Sequence, residues 1–302
     1  MVTPTFLKPN FTLTYELNPP RSTDATTVLT HAKTVAPFVD AFNLTDNPMS
    51  SLRMSPGPLA AAIQNQTTVA TIPHITGRDR NVLALQSELL GFSFLGIRNV
   101  FALTGDPMKI GDHPDAKGVY ELYANQLIEL VRGLNQGRDR VGKEIKPATS
   151  FSIGAAVTLT DTRPDGFDTF KKKIDGGADF FQTQIILDPA TLDSPTVRKY
   201  QTDLPVLLGT VPLKNEKVLA TLKTIPGIEV TERLEKRLAR ATHFATEANR
   251  LVLELRDAIK GRYSGLHLMP INPNEEQVLR LLSDLRGTRS TPSLAKPLEE
   301  KR

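Results

Sequence analysis

The stretch Phe101-Ala102-Leu103-Thr104-Gly105-Asp106-Pro107 is an apolar run that ends abruptly in a glycine, an acid and a proline. This pattern predicts a buried strand that carries a carboxylate at its carboxyl end. In α/β folds with parallel strands, that rim is where ligands bind. Other predicted strands also end in polar residues, at Tyr15-Glu16, 43–47, 73–76, Thr183-Gln184 and 267–270. Polar strand ends spread along most of the chain predict one site assembled from many loops.

Strand-like and helix-like segments alternate along nearly the whole chain. The predicted strands are 11–17, 41–45, 69–76, 99–104, 149–157, 180–187, 205–212 and 265–269. They are apolar on both faces or rich in β-branched and aromatic residues, as buried parallel strands are. Amphipathic segments such as 81–95 and 120–134 lie between them. Eight such βα units in 302 residues predict an α/β protein, a (β/α)8 TIM barrel.

Two further features of the chain refine this barrel. The charged, periodic segment 229–260 predicts extra helices between strands seven and eight. We expect one catalytic domain over 1–287 and a disordered tail over 288–302, which is polar and contains two prolines. The competing architecture is a doubly wound open sheet. It is disfavoured because no G-x-G-x-x-G fingerprint follows the first strand and the sequence has no Walker-type phosphate loop.

Composition excludes several kinds of function. The chain has no cysteine, which rules out disulfides, thiolate metal sites and cysteine catalysis. Its five histidines are scattered without metal-ligand spacing, so we expect no metal. The net charge of +4 is dispersed, so we expect no nucleic-acid partner. The apolar runs fall far short of the ~20 residues that cross a bilayer, and no secretory signal is visible. We therefore expect a cytoplasmic protein without a membrane partner.

Six short motifs in order along the chain carry a resemblance to a known family. They are Tyr15-Glu16-Leu17-Asn18-Pro19-Pro20-Arg21, 44–49, 73–81, 95–107, 176–184 and 209–214. In this order the sequence resembles the methylenetetrahydrofolate reductase family, in the compact single-domain form of bacteria and archaea. The resemblance implies a (β/α)8 barrel, in agreement with the independent strand count.

The resemblance also implies an activity in one-carbon metabolism and methionine biosynthesis. The family interconverts 5,10-methylenetetrahydrofolate and 5-methyltetrahydrofolate, with a flavin relaying hydride. We therefore expect tetrahydrofolate derivatives as substrates, FAD as cofactor and NADH or NADPH as electron donor. FMN, the absence of a tightly bound flavin, and a partner electron-donor protein stay open. So do the physiological direction and a homo-oligomeric state.

Three residues match the family's reactive positions. Glu16 corresponds to the general acid, and a carboxyl shielded from water has a raised pKa that keeps it protonated. Asp106 corresponds to the aspartate near the flavin and the folate, and Gln184 to the glutamine that binds the pterin ring. Each has a structural alternative: Glu16 caps a turn or pairs with Arg21, Asp106 caps a helix, and Gln184 binds loop backbone.

The resemblance places the flavin contacts at Thr45, His74, Leu103, Thr104, Gly105, Asp106, Tyr123, Ala124 and Lys173. The chain departs from the family pattern at three positions. Glu216 stands where some members have a stacking phenylalanine, Thr104 where some have arginine, and Gly77 where near relatives often have cysteine. Glu216 cannot stack, which leaves the identity of the electron donor open. A flavin-free transfer from nicotinamide to folate also stays open, because some compact members of the family work with little or no bound flavin. Two further functions compete with the reductase: a non-catalytic folate-binding barrel, and a pterin methyltransferase that serves a corrinoid.

Overall fold

The computed structural model describes residues 2–288. The predicted tail, 288–302, lies outside these residues except for Thr288. The strands are β1 (Thr12–Leu17), β2 (Ala41–Leu44), β3 (Ala70–Thr76), β4 (Asn99–Leu103), β5 (Ser152–Val157), β6 (Phe180–Ile185), β7 (Val206–Thr210) and β8 (Gly265–Leu268). The α-helices are α1 (Thr26–Val35), α2 (Pro56–Thr67), α3 (Val82–Phe94), α4 (Ala124–Asn135), α5 (Gly166–Asp175), α6 (Pro195–Arg198), α7 (Glu216–Leu222), α8 (Glu232–Ala239), α9 (Phe244–Ala258) and α10 (Glu275–Arg286).

The eight strands form a closed barrel in sequence order. Every neighbouring pair is parallel, and β8 closes the barrel by pairing with β1, Thr14 opposite His267. The predicted (β/α)8 barrel is therefore confirmed, with strand ends within three residues of those expected from the sequence. The predicted extra helices between strands seven and eight are also confirmed, as α8 and α9. Within residues 2–288, no helix is long and apolar enough to span a bilayer.

Alternation along each strand creates two apolar layers. Side chains such as Leu13, Tyr15 and Phe181 face outward and pack under the helices in the larger core. Side chains on the opposite face point into the barrel. There Phe6, Ala41, Ile72, Phe101, Phe180 and Leu207 form a separate apolar cluster. The period of two in a strand thus assigns each residue to one layer or the other.

A glycine makes room for the aromatic rings inside the barrel. A Cβ atom at Gly154 would lie 2.3 Å from Phe180 Cζ and 2.6 Å from Phe101 Cδ2. Phe6, from the segment before β1, packs edge-on against Phe180 with ring centroids 5.2 Å apart. This apolar cluster fills the lower part of the barrel. Above it, the side chains that point into the barrel are mostly polar.

Candidate active site

A cavity of about 660 Å³ opens at the carboxyl ends of the strands. Its walls come from strands around the barrel and from the loops that follow them, which is where a TIM barrel carries its site. Ten of the sequence-predicted residues line it: Glu16, Thr45, His74, Leu103, Thr104, Gly105, Asp106, Ala124, Lys173 and Gln184. The cavity is therefore lined by predicted residues that lie far apart in the sequence, from Glu16 on β1 to Gln184 on β6.

Tyr123 is the predicted residue that does not line this cavity. Its side chain is 54% exposed, and it occupies the position before the first residue of α4. Its backbone N–H already donates to Gln126 Oε1 at 2.9 Å. The neighbouring Ala124 faces the cavity instead, because consecutive residues at a helix start point in different directions.

Glu16 lies near the floor of the cavity beside His267. The Oε2 atom of Glu16 is 3.6 Å from Nε2 of His267, and the Glu16 side chain keeps 20% of its surface exposed. Arg21 pairs with Asp112 rather than with Glu16, so the alternative of a local Glu16–Arg21 pair does not hold. Glu16 is therefore free to face whatever fills the cavity.

The pKa of Glu16 is lowered by its neighbours in the barrel. Burial acts to raise it, but the contact with His267 outweighs burial and holds the pKa below its usual range. His74 contributes to this lowering only at acid pH, where its ring is charged. A histidine of β8, 251 positions away in the sequence, lies against the carboxyl group. The raised pKa was expected for a carboxyl group shielded from water by a bound flavin and pterin, and it stays a prediction. At neutral pH Glu16 is a carboxylate.

A chain of buried polar side chains crosses the barrel directly under the cavity. Asn43 donates to Oε1 of Gln182 at 2.8 Å, and Gln182 donates back to Oδ1 of Asn43 at 3.0 Å. At one end Asn43 bonds to Nε2 of His74 at 3.1 Å. At the other, Gln182 donates to Thr14 at 3.2 Å, and Thr14 bonds to Nδ1 of His267 at 2.8 Å. These five side chains are at most 6% exposed.

This chain satisfies polar groups that would otherwise be costly to bury. Burial lowers the pKa of His74 to about 4, with Glu16 and Asp46 opposing the shift and His267 adding to it. His74 is therefore neutral at physiological pH and accepts the hydrogen bond from Asn43. Its ring also lies against Phe101, with centroids 5.0 Å apart.

A second polar cluster lies at the β2–β3 side of the cavity. Asp46 is 4% exposed and accepts hydrogen bonds from the backbone and hydroxyl of Thr76 and from both terminal nitrogens of Arg80. Arg78, only 1% exposed, pairs with Asp79 at 2.6 Å and donates to Ser50. Each buried charge in this cluster thus has its own partner.

Asp106 joins the cavity wall to the loop after β2. One carboxylate oxygen accepts the backbone N–H of Met49 at 2.8 Å, and the Asp106 carbonyl accepts the hydroxyl groups of Ser50 and Tyr120. Met49 and Ser50 both have positive φ, 53°, a conformation that L-residues rarely adopt. The contacts of Asp106 help to hold this strained loop.

Gly105 is required by its position between Asp106 and β4. Its φ is +94°, and a Cβ atom there would lie 2.7 Å from Cβ of Arg78. A side chain at this position would both strain the backbone and collide with a residue that lines the cavity. The Gly105-Asp106 turn after β4 thus packs closely against the residues at the end of β3.

Lys173 and Gln184 form the β5–β6 side of the wall. Lys173 extends from α5 and donates to the carbonyl of Ala156 at 2.6 Å. Burial, and then Arg163, lower the pKa of Lys173 to about 8 despite Asp161. The Gln184 amide contacts backbone: Oε1 accepts the N–H of Ile185 at 3.0 Å, and Nε2 reaches the carbonyl of Pro226 at 3.5 Å. Gln184 therefore binds loop backbone in this structure, as its structural alternative predicted, and lies at the edge of the cavity.

Sequence reasoning missed several residues of the site. Asn43, Gln182 and His267 line or underlie the cavity, yet none was assigned a role. Their signal was position: each is a buried polar residue within a strand, on the register that faces into the barrel. Within residues 2–288, no three His, Asp or Glu side chains are arranged to hold a metal ion.

The fold and cavity define a (β/α)8-barrel protein with a polar, carboxylate-bearing pocket at the mouth of the barrel. The family model described as methylenetetrahydrofolate reductase matches residues 4–286. The chain belongs to the methylenetetrahydrofolate reductase family, as the motifs had indicated.

Relatives with this description are distant in sequence. Methylenetetrahydrofolate reductase 1 of Schizosaccharomyces pombe is 26% identical over 226 residues, covering 68% of this chain and 34% of the relative. Methylenetetrahydrofolate reductase (NADH) 1 of Arabidopsis thaliana is 24% identical over 266 residues, covering 78% of this chain and 42% of the relative. The chain thus spans less than half the length of these relatives.

A solved structure shares the fold. It is an uncharacterized Clostridium thermocellum protein described as binding two copies of 5-methyl-5,6,7,8-tetrahydrofolic acid. Its TM-score is 0.64 at 11% identity, and the match covers 92% of this chain and 95% of that protein. At this identity the likeness concerns the barrel architecture.

Proposed function

We propose that the protein is an oxidoreductase that interconverts 5,10-methylenetetrahydrofolate and 5-methyltetrahydrofolate by hydride transfer. Family membership supports the proposal. The observation that carries it is that Glu16 of β1 and Asp106 after β4 line the same cavity, together with Gln184 of β6. These are the three positions at which the resemblance expects reactive and folate-binding groups.

Reduction of the methylene bridge requires one ring C–N bond to open first. A proton must reach the leaving nitrogen, so that the carbon becomes an electrophilic iminium and can accept hydride. Glu16 is the candidate donor. Because His267 lowers the pKa of Glu16, we expect this group to acquire its proton when the pterin fills the cavity and removes water. Loss of water disfavours the carboxylate and raises the pKa of the group.

Asp106 and Gln184 would serve the substrate without transferring the proton. A carboxylate in a pocket closed by ligand stabilises the cationic iminium through its charge. The Gln184 amide can both donate and accept, which matches the mixed edge of a pterin. Both of its present contacts are to backbone groups near the rim. Substrate would replace these contacts at small cost, because the one to Pro226 is long.

The cavity residues also fit a flavin. Gly105, Ala124 and Ala156 leave the wall open where larger side chains would fill it, and Lys173 places a cationic amine beside Ala156. When bound, a flavin would supply hydride transfer between a nicotinamide and the folate. Thr45, His74, Leu103 and Thr104 would contact its ring, and Lys173 would face its phosphates.

The name of the Arabidopsis relative favours NADH as the donor, and we extend that choice to this chain. Thr104, which replaces the arginine of some relatives, already accepts the N–H of Ala124 at 3.2 Å. It therefore offers no positive charge to the cofactor. For this reason an assay of the protein must also allow for a loosely bound flavin and for direct transfer from the nicotinamide.

The test is an assay of purified protein with methylenetetrahydrofolate and either NADH or NADPH, repeated with FAD, with FMN and with no flavin. The proposal expects 5-methyltetrahydrofolate as product, at a rate that depends on enzyme concentration. Turnover without flavin would select the direct transfer. Tight binding of 5-methyltetrahydrofolate with no turnover under any condition, including the reverse reaction with an artificial electron acceptor, would overturn the proposal in favour of a non-catalytic folate-binding barrel.

A further inference from the structure

The buried polar chain beneath the cavity reaches Glu16 through one residue, His267. We propose that His267 is a positioning residue for Glu16: it orients the carboxyl group toward the cavity and sets the pH range over which that group gives up a proton. This inference deepens the proposed function and rests on Glu16 being the proton donor. Its support comes from the donors and acceptors along the chain.

The amide hydrogens of Asn43 and Gln182 are all used in hydrogen bonds. Asn43 donates one hydrogen to Gln182 and one toward His74. Gln182 donates one back to Asn43 and one to the hydroxyl oxygen of Thr14. The paired amides therefore fix the direction of every donor in the centre of the barrel.

The hydrogen bond between Thr14 and His267 determines which nitrogen of the imidazole carries the proton. Because Thr14 accepts a hydrogen from Gln182, its own hydroxyl hydrogen is available to Nδ1 of His267, 2.8 Å away. In the neutral ring the proton then resides on Nε2, the atom that lies 3.6 Å from Glu16 Oε2. The hydrogen bond at one ring nitrogen thus determines what the other presents to its partner.

The His267 ring cannot turn without losing its hydrogen bond to Thr14. Thr14, Gln182 and Asn43 are at most 2% exposed, and His267 is 3% exposed. Rotation of the imidazole would leave the Thr14 hydroxyl without its acceptor in a place that water does not reach, at a cost of about 1–3 kcal/mol. Its hydrogen bond to Thr14 therefore fixes the orientation of the His267 imidazole. The Glu16 carboxyl group lies next to this fixed ring.

The other charged groups of the cavity each have a different partner. Asp46 is paired with Arg80, and Arg78 with Asp79. Lys173 donates to the Ala156 carbonyl, and Asp106 accepts the Met49 N–H. His74 faces Glu16 from β3, but it is neutral because of its burial. Of the basic groups that the structure describes in the cavity wall, His267 is the one within 4 Å of the Glu16 carboxyl group.

Two substitutions at His267 separate its capacity to donate a hydrogen bond from its capacity to carry a charge. His267→Gln can keep a neutral N–H donor toward Glu16 but cannot carry a charge, whereas His267→Phe removes both. The Glu16 carboxyl titration is followed by ¹³C NMR, with the Glu16→Gln variant identifying its signal. We expect the pKa of Glu16 to rise by about one unit or more in both variants, since a favourable charge partner shifts a carboxyl by about 1–3 units.

The pH profile of folate reduction supplies the second readout. The limb at which activity falls as pH rises should move to higher pH in both variants. The maximal rate should fall at least about tenfold in His267→Phe and less in His267→Gln, in keeping with loss of a positioned acid group. If His267→Phe does not fold, His267→Gln alone decides the outcome.

His31→Gln is the matched control. His31 bonds to the hydroxyl of Tyr15, the residue next to Glu16, but lies outside the barrel interior. The His31→Gln substitution should leave both the Glu16 titration and the pH profile of folate reduction unchanged. An unchanged Glu16 titration in folded His267→Gln would overturn the inference. If the unmodified protein shows no folate turnover, the proposed function fails, whereas the titration still decides whether His267 controls Glu16.

Discussion

The two halves of the barrel interior differ sharply although the same strands build both. The lower half is closed by Phe6, Phe101 and Phe180, packed so tightly that Gly154 has no room for a side chain. The upper half is a polar floor beneath an open cavity. Phe180 and Gln182 are two positions apart on β6, as Ile72 and His74 are on β3. The lower half supplies stability and the upper half supplies a site.

This difference shows where to look for function in a barrel of unknown role. A polar residue on an outward face is covered by a helix or solvated, but a polar residue on the inward face must be bonded to another or face a ligand. On β2, β3 and β6 the inward face changes from apolar to polar within two positions, from Ala41 to Asn43, Ile72 to His74 and Phe180 to Gln182. Perturbing each half should therefore affect different properties, and the following predictions test that separation.

The largest effect is expected from Glu16→Gln. Loss of the acid should lower folate turnover by about 10³-fold, within the range that positioned acids contribute, while the protein keeps its fold. If a flavin is bound, its reduction by the nicotinamide should continue at a similar rate. Glu144→Gln, at an exposed ion pair with Lys146, is the control. Turnover close to that of the unmodified protein would remove Glu16 from the mechanism.

In the lower half, Phe180→Ala should chiefly affect stability. Phe180 is fully buried and contacts both Phe6 and Phe101, so its loss should lower the free energy of unfolding by about 3–5 kcal/mol. Denaturant unfolding measures the change. Phe167→Ala, at a ring that is 36% exposed, should cost much less. A large fall in activity per folded molecule for Phe180→Ala would show that the two halves are not separable.

His74 should make the protein sensitive to acid. Its pKa falls from 6.5 in the unfolded chain to about 4 in the folded barrel, so the unfolded state binds the extra proton first as pH decreases. The stability is fully present above pH 6.5 and is lost as pH falls toward 4, by up to roughly 3 kcal/mol. His74→Gln should flatten this part of the curve of unfolding free energy against pH. Parallel curves for the two proteins would contradict the assignment.

The smallest effect is expected at Lys173. Replacement by Met should weaken binding of pyrophosphate, as a probe of a cofactor's phosphates, by about tenfold, since one partly screened charge contributes on the order of 1 kcal/mol. In the unmodified protein the affinity should fall as pH rises through about 8, because the amine loses its proton there. Lys171→Met, two residues away and paired with Asp168, is the control. Equal effects at both positions would indicate a general loss of positive charge.

The fold was predictable from the sequence because its signal is periodic and redundant. Apolar runs such as 99–103 and 206–210 each fix one strand, and the alternation with helices fixes the order. Most of the predicted cavity residues were predictable because they stand at strand ends in known motifs. Tyr123 lay outside because the direction of a side chain at a helix start depends on the cap, in this case the bond to Gln126.

The electrostatics of the site could not be predicted in the same way. The sequence places Glu16 on the first strand and His267 on the last, and only closure of the barrel brings them to 3.6 Å. The sign of the pKa shift of Glu16 depends on that contact. The reciprocal amide pair of Asn43 and Gln182 likewise joins residues 139 positions apart. Pairwise chemistry across a closed barrel is a property of the fold and not of any local motif.

The most direct test of the central claim is a crystal structure of the protein with 5-methyltetrahydrofolate. The claim is that a pterin occupies the cavity above the polar floor and faces Glu16. The structure should place the N5 side of the pterin toward the Glu16 carboxyl group and the opposite edge within hydrogen-bond distance of Gln184. A folate bound elsewhere on the molecule, with the Glu16 and Asp106 carboxyl groups out of its reach, would contradict the claim.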